Sequence, residues 1–135
     1  MPNIEYRVND TISVEQFMDL LQRSTLAPRR PLDSAERVQR MLDHANLTIT
    51  AWDGDKLVGV SRSLTDFSFC CYLYDLAVDE PYQHSGIGRE LVRRTREEAG
   101  VECTVLLLSA PAAMEYYPKV GFKKLENAFA IKREK

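Results

Sequence analysis

Cysteine, histidine and long apolar runs are all scarce in this sequence, and each scarcity closes off a class of function. Its 135 residues hold three cysteines and two histidines. Cys70, Cys71 and Cys103 are odd in number and show no C-x-x-C spacing, so neither a disulfide framework nor a zinc ribbon is expected. Adjacent Cys70 and Cys71 point to opposite sides of a strand, which prevents them from sharing a metal or pairing locally. We read them as reduced thiols of a cytoplasmic protein and expect no metal. The N-terminus has no basic start leading into an apolar run, so no signal peptide is expected. Wholly apolar stretches last only a few residues, too short to cross a membrane.

Charge of one sign is also missing. The net charge is −2, and Arg93, Arg94 and Arg96 alternate with Glu90, Glu97 and Glu98. That pattern reads as a solvated helix face and not as the basic footprint of a nucleic-acid binder. Apolar residues make up 44% of the chain, enough for one hydrophobic core at this length. No repeat, low-complexity stretch or long linker divides the sequence, so residues 1–135 are read as one domain.

Periodicity supplies the elements. Ile4 to Val8 alternates as a first strand. Ser13 with Gln16 forms a capping-box pattern, after which Val14, Phe17, Met18 and Leu21 share a helical face. Ser24 to Pro31 carries two prolines and the Arg29–Arg30 pair, so it is a loop. Asp33 with Glu36 opens a second helix, whose apolar face is Ala35, Val38, Met41, Leu42 and Ala45. Leu47 to Trp52 and Leu57 to Leu64 flank Asp53-Gly54-Asp55, a hairpin signal. Phe69 to Val78 is a further strand, and Gly86 to Ala99 is an amphipathic helix. Val105 to Leu108 reads as a strand covered on both faces. Pro111 to Tyr116 reads as a short helix, and strands around Phe122 and over Ala128 to Lys132 close the chain. The fold class is therefore α/β with a mixed sheet.

The informative segment runs from Leu73 to Leu91. A buried strand ends at Val78, and Gly86 and Gly88 sit where a helix begins. A helix start presents unpaired N–H groups and the positive end of the dipole, and glycine lets an anion approach the backbone. Alone, the pair of glycines is equally compatible with a tight turn. The segment departs from known nucleotide loops: Arg89-Glu90 follows the second glycine where a P-loop has Lys-Ser/Thr, and Leu91 replaces the third glycine of a dinucleotide fingerprint.

With these residues in view, the sequence resembles the GNAT family of acetyltransferases. Gln83-His84-Ser85-Gly86-Ile87-Gly88 matches the family's Gln/Arg-x-x-Gly-x-Gly/Ala pyrophosphate motif. Leu76-Ala77-Val78-Asp79-Glu80-Pro81 matches the strand end and acidic-Pro turn that precede it. Tyr116-Tyr117-Pro118-Lys119-Val120-Gly121-Phe122 matches an aromatic-Tyr pair a few residues before Gly-Phe. The match is good from about Leu57 to Phe122; the first fifty residues agree only in the order of elements.

The resemblance implies a single GNAT-type domain, with a mixed, mostly antiparallel sheet whose central strands splay apart between flanking helices. It implies acetyl-CoA as cosubstrate and acetyl transfer to a primary amine of a small molecule or protein, by direct attack in a ternary complex. Leu76, Ala77 and Val78 would lie against the pantetheine arm. Gln83, His84, Ser85, Gly86, Ile87, Gly88 and Arg89 would cradle the pyrophosphate, and Ser109 and Tyr117 would complete the cofactor set. The Val78 N–H is the implied oxyanion donor. Tyr117 is the implied acid for the departing thiolate, with Tyr116 read as packing. Pro118 stands where the family carries an acidic or polar residue and is expected to place Tyr117 at a helix end or kink. Asp75, an acid in an apolar strand, is read either as the base that deprotonates the amine or as a structural acid. Tyr72 and Tyr74 line the acceptor side. The family also implies a homodimer paired through C-terminal strands. Two alternatives are a non-catalytic acetyl-CoA-binding regulatory module and an acyltransferase for longer acyl chains.

Overall fold

The first helix shows how closely local chemistry follows the sequence. In the computed structural model, which describes residues 3–135, the Ser13 hydroxyl accepts from the Gln16 N–H at 3.0 Å while the Gln16 side chain accepts from the Ser13 N–H at 2.9 Å. This reciprocal cap starts α1 (Val14–Arg23), and Ser24 closes it by donating its N–H to Leu20. Between them Phe17, Leu20 and Leu21 are wholly buried. The second helix, α2 (Ala35–His44), is capped by Ser34, one residue beyond the Asp33 expected. A short 3-10 turn at Ala27–Arg29 lies between the two helices.

Five strands form one sheet in sequential order: β1 (Ile4–Val8), β2 (Leu47–Asp53), β3 (Lys56–Thr65), β4 (Cys70–Val78) and β5 (Thr104–Leu106). The first four pair antiparallel and β5 joins β4 in parallel. The β2–β3 turn needs a positive φ at its first residue, and Gly54 supplies +60°. One face of the sheet packs α1 and α2, joining Phe17, Leu21 and Val38 to Trp52, Val60 and Ala77. The other packs α3 (Ile87–Ala99), joining Ile87 and Leu91 to Ile49, Ala51 and Val58. Gly59 permits that approach, since a methyl group there would stand 3.1 Å from both Ile87 and Leu91.

Two irregularities shape the site. On β4, Asp75 faces Arg62 and Leu73 faces Ser63, so Tyr74 is an extra residue without a partner. This bulge re-aims the strand halfway along its length. Furthermore, β5 pairs with β4 only at Cys70, Cys71 and Tyr72. From Leu73 to Val78 the β5 side of β4 has no neighbouring strand among the described residues, which is the expected splay.

The C-terminal third departs from expectation. No strand forms at Phe122 or over Ala128 to Lys132; residues 123–135 carry neither helix nor strand. Phe129 and Ile131 are 98% and 102% exposed. Their alternation is that of a strand, but no edge in the described chain receives them. Val105 and Leu106 are half-buried and not covered on both faces as expected. The helix expected over Pro111 to Tyr116 divides into a 3-10 turn at Pro111–Ala113 and a one-turn helix, α4 (Tyr116–Lys119).

Candidate active site

The strand end and the glycine loop are braced from several directions. The Asp79 N–H donates to the Val58 carbonyl at 2.8 Å. The Asp79 carboxylate is buried between Arg23 Nη1 at 2.7 Å and Lys56 Nζ at 3.4 Å. A 3-10 turn, Glu80–Tyr82, follows, with the Tyr82 hydroxyl donating to Asp53. Gln83 Nε2 donates to the Val78 carbonyl at 2.9 Å, and the Ser85 hydroxyl donates to the Tyr82 carbonyl. Gln83 and Ser85 of the motif thus hold the loop against the strand. His84 is exposed with φ +67°, and its side chain points at no described partner.

Gly86 caps α3 in the left-handed region at φ +90°, and no side chain satisfies the helix start. The first N–H groups of α3 therefore lack side-chain acceptors, while a residue with a Cβ would strain the cap. This uncapped terminus lies at the end of the open β4 edge, where Leu76 and Val78 are half-buried and Ala77 is turned into the core. A phosphate-bearing ligand with an extended arm fits both features: anion at the amides, arm along the edge. Among the described residues no group of three His, Cys, Asp or Glu side chains is placed to hold a metal ion. No described helix is long and apolar enough to cross a membrane.

The tyrosine pair of α4 lies beside the start of α3. Tyr117 packs edge-on against Tyr116 at 5.4 Å and Phe122 at 5.6 Å between ring centroids. Burial, and then the neighbouring Tyr116, raise its pKa above the ordinary phenol value, while Arg29 and Arg30 pull in the opposite direction. Pro118 stands third in α4 and does not break it, because the first turn of a helix needs no N–H at that point. Tyr116 is the residue that sequence reasoning undervalued. Its hydroxyl lies over Gly88 so closely that a methyl group on the glycine would collide with it. Arg89 reinforces this contact, donating from Nη2 to the Lys119 carbonyl at 3.0 Å and tying α3 to α4. Ser109 stands between β5 and α4, half-buried, with its hydroxyl turned to the Ala110 carbonyl at 2.8 Å.

Asp75 sits apart from these groups, on the α1/α2 side of the bulge. It is wholly buried, and both carboxylate oxygens are engaged: Oδ1 by Arg30 Nε at 2.5 Å and Oδ2 by Arg62 Nε. Arg30 also donates to the Tyr74 carbonyl at 2.9 Å, and Arg62, itself 4% exposed, donates to the Met41 carbonyl at 3.2 Å. One carboxylate thus fastens the loop after α1, strand β3 and helix α2 to β4. The signal was present in the sequence as Arg62 and Asp75, opposite charges within adjacent apolar strands. Cys71 is buried, which raises its thiol pKa, and neither it nor Cys70 nor Cys103 is disulfide-bonded.

Comparison with known proteins agrees with this geometry. The acetyltransferase (GNAT) family profile matches residues 14–122. An N-acetyltransferase of Prochlorococcus marinus, ycf52-like and uncharacterised, is 30% identical over 125 residues. That alignment takes in 87% of this chain but only 65% of the relative. Among solved structures, a GNAT-family acetyltransferase of Streptococcus pneumoniae superposes with TM-score 0.72 at 21% identity, covering 98% of this chain and all of the other. An aminoglycoside N-acetyltransferase in complex with CoA superposes with TM-score 0.74 at 14% identity, covering 99% and 97%. With the profile spanning the loop, the open strand edge and the tyrosine pair together, the chain belongs to the GNAT family of acetyltransferases.

Proposed function

We propose that this chain transfers the acetyl group of acetyl-CoA to a primary amine in a ternary complex. The observation that supports the reading is the uncapped α3 terminus at the end of the open edge of β4, with the Tyr116 hydroxyl of the tyrosine pair lying over Gly88. The backbone amides from His84 to Arg89 bind the pyrophosphate, and Gln83 and Ser85 keep the loop in the shape that aims those amides. The main chain of Leu76, Ala77 and Val78 takes the pantetheine arm as an added strand. As the amine attacks, the Val78 N–H faces the oxygen on which negative charge develops. Tyr117 gives its proton to the departing sulfur and regains one from the nitrogen as the amide forms; its raised pKa keeps it protonated at neutral pH and also makes it a weaker donor to the thiolate.

Asp75 serves this reaction as an anchor of the acceptor wall. A carboxylate with both oxygens held by guanidinium groups and no exposure has no path for a proton to water, so we do not assign it the base. The test is direct: purified protein with acetyl-CoA and a panel of amines, following free CoA thiol and product mass. Thiol release no faster than hydrolysis, across the whole panel and with folded protein, would refute the activity. We also propose that two copies pair through the exposed segment bearing Phe129 and Ile131. Light scattering that shows a monomer at tens of micromolar, a concentration on the scale of ordinary association constants, would refute the dimer.

A further inference from the structure

The acceptor side of the cleft has a charge and a surface of its own. Tyr72 and Tyr74 lie nearly parallel, with ring centroids 4.1 Å apart and planes 9° from parallel. The Arg62 guanidinium sits over the Tyr74 ring at 5.1 Å, and Tyr74 remains 44% exposed. With Tyr72 stacked on one face of the Tyr74 ring and Arg62 over the other, the pair forms a rigid aromatic shelf that meets solvent along the edge of Tyr74. Its rigidity comes from Asp75, which fixes Arg62 beneath it and Arg30 beside it.

The charges around this shelf do not cancel. Arg30 and Arg62 share the single carboxylate of Asp75. Arg29 is exposed and makes no salt bridge with any described residue. Its backbone carbonyl accepts from Arg30 Nη1 at 3.0 Å, which places it at the rim of the same cluster. It is near enough to the Tyr117 hydroxyl for its charge to act on it. Two guanidinium groups thus share one carboxylate and a third, Arg29, stands beside them, on the side from which the acetyl-transfer reading brings the amine. A field of that sign lowers the pKa of an incoming ammonium and so favours the neutral nucleophile. It also repels any acceptor that brings several positive charges, and it leaves one guanidinium for an anion to pair with.

From this arrangement, and resting on the acetyl-transfer reading above, we infer that the acceptor is an amine with a flat body and an anionic group, the body on the Tyr72–Tyr74 shelf and the anion on Arg29. The chemistry differs from that of an aminoglycoside, the substrate class named for the CoA-bound structural neighbour. Polycations are poor acceptors here.

The test compares three acceptors with wild-type protein and saturating acetyl-CoA. Para-aminomethylbenzoate and para-methylbenzylamine share ring and primary amine and differ by the carboxylate; an aminoglycoside supplies the polycation. The carboxylate compound is expected to show the higher kcat/KM by about tenfold, the factor one charge-assisted contact supplies, mostly through KM, with the aminoglycoside last. Arg29→Gln should reduce the carboxylate-to-neutral ratio by about the same factor, and Arg29→Glu should drive it below one. A wild-type ratio at or below one, an aminoglycoside in first place, a ratio unmoved in folded Arg29→Gln, or refusal of the carboxylate compound overturns the inference. Calorimetry with acetyl-CoA alone separates the two claims. Tight binding with any of those outcomes leaves the acetyl-CoA reading standing, whereas absent binding removes that reading and this inference together.

Discussion

Replacing Asp75 by Asn removes one charge and almost no volume, and the structure assigns it a large effect. Asp75 is fully buried with both oxygens in ion pairs, and Arg62 is 4% exposed. After the substitution Arg62 keeps only the Met41 carbonyl and the face of Tyr74 as partners. Breaking one side of a buried pair costs about 3–5 kcal/mol because the surviving charge is left uncompensated. Asn retains one carbonyl acceptor, and Arg30 can turn toward water, so we take about 3 kcal/mol. That is a large share of the roughly 5–15 kcal/mol that holds a domain together. It corresponds to a fall in Tm of about 10 °C. Urea denaturation should show a lower midpoint at unchanged m, the mark of altered stability without altered exposure on unfolding. Activity should fall as well, through KM for the amine, since the loop bearing Arg29 and Arg30 loses its anchor. A general base behaves differently: its loss leaves stability intact, collapses kcat and removes the acidic limb of the pH profile. A folded Asp75→Asn variant with wild-type urea midpoint and that kinetic signature would refute the anchoring role.

Other consequences are equally specific. Tyr117→Phe keeps the edge-on packing with Tyr116 and Phe122 and is expected to lower kcat by roughly 10²-fold with little change in calorimetric acetyl-CoA affinity; undiminished turnover at saturating amine would place the acid elsewhere. Gly88→Val should leave the protein folded but weaken acetyl-CoA binding severely, because the new side chain meets the Tyr116 hydroxyl at the start of α3; calorimetry showing wild-type affinity would remove the phosphate assignment. Glu90, held by Arg93 and then Arg94, has its pKa lowered to about 2. A carboxylate depressed in this way stabilises the fold above its unfolded pKa, and that contribution disappears as pH falls from about 4.5 toward 2. The pair is partly solvated, so the loss should stay below about 1 kcal/mol. Glu90→Gln should flatten the acid dependence of the urea midpoint over that range, and an unchanged slope would contradict the pairing.

What could be read from the sequence was whatever local chemistry decides. The Ser13–Gln16 cap, the Gly54 turn and the glycine-bearing start of α3 depend on a few neighbouring residues, and each stands where the pattern placed it. The order of elements through β5 was legible for the same reason. The tail was not, because the alternation around Phe129 and Ile131 states only that a strand is affordable and says nothing of an edge to receive it. Contacts between distant segments were the second blind spot. Tyr116 looked like a core aromatic because nothing in α4 reveals that its hydroxyl reaches Gly88, twenty-eight positions away in sequence. Arg30 was read only as part of a loop, and the bulge at Tyr74, beside Asp75, accompanies its capture by that carboxylate.

The unpaired stretch of β4 has a consequence for the protein outside catalysis. From Leu73 to Val78 the sheet carries a strand whose outer hydrogen-bonding groups face no other strand, and such an edge accepts any extended chain that meets it. The occupant we propose for catalysis is also the one that covers this edge. A ligand that binds only the folded state deepens its stability in proportion to the logarithm of its concentration. Colloidal behaviour should follow the same supply: when acetyl-CoA is depleted, more copies display a bare strand, and self-association through that strand becomes easier.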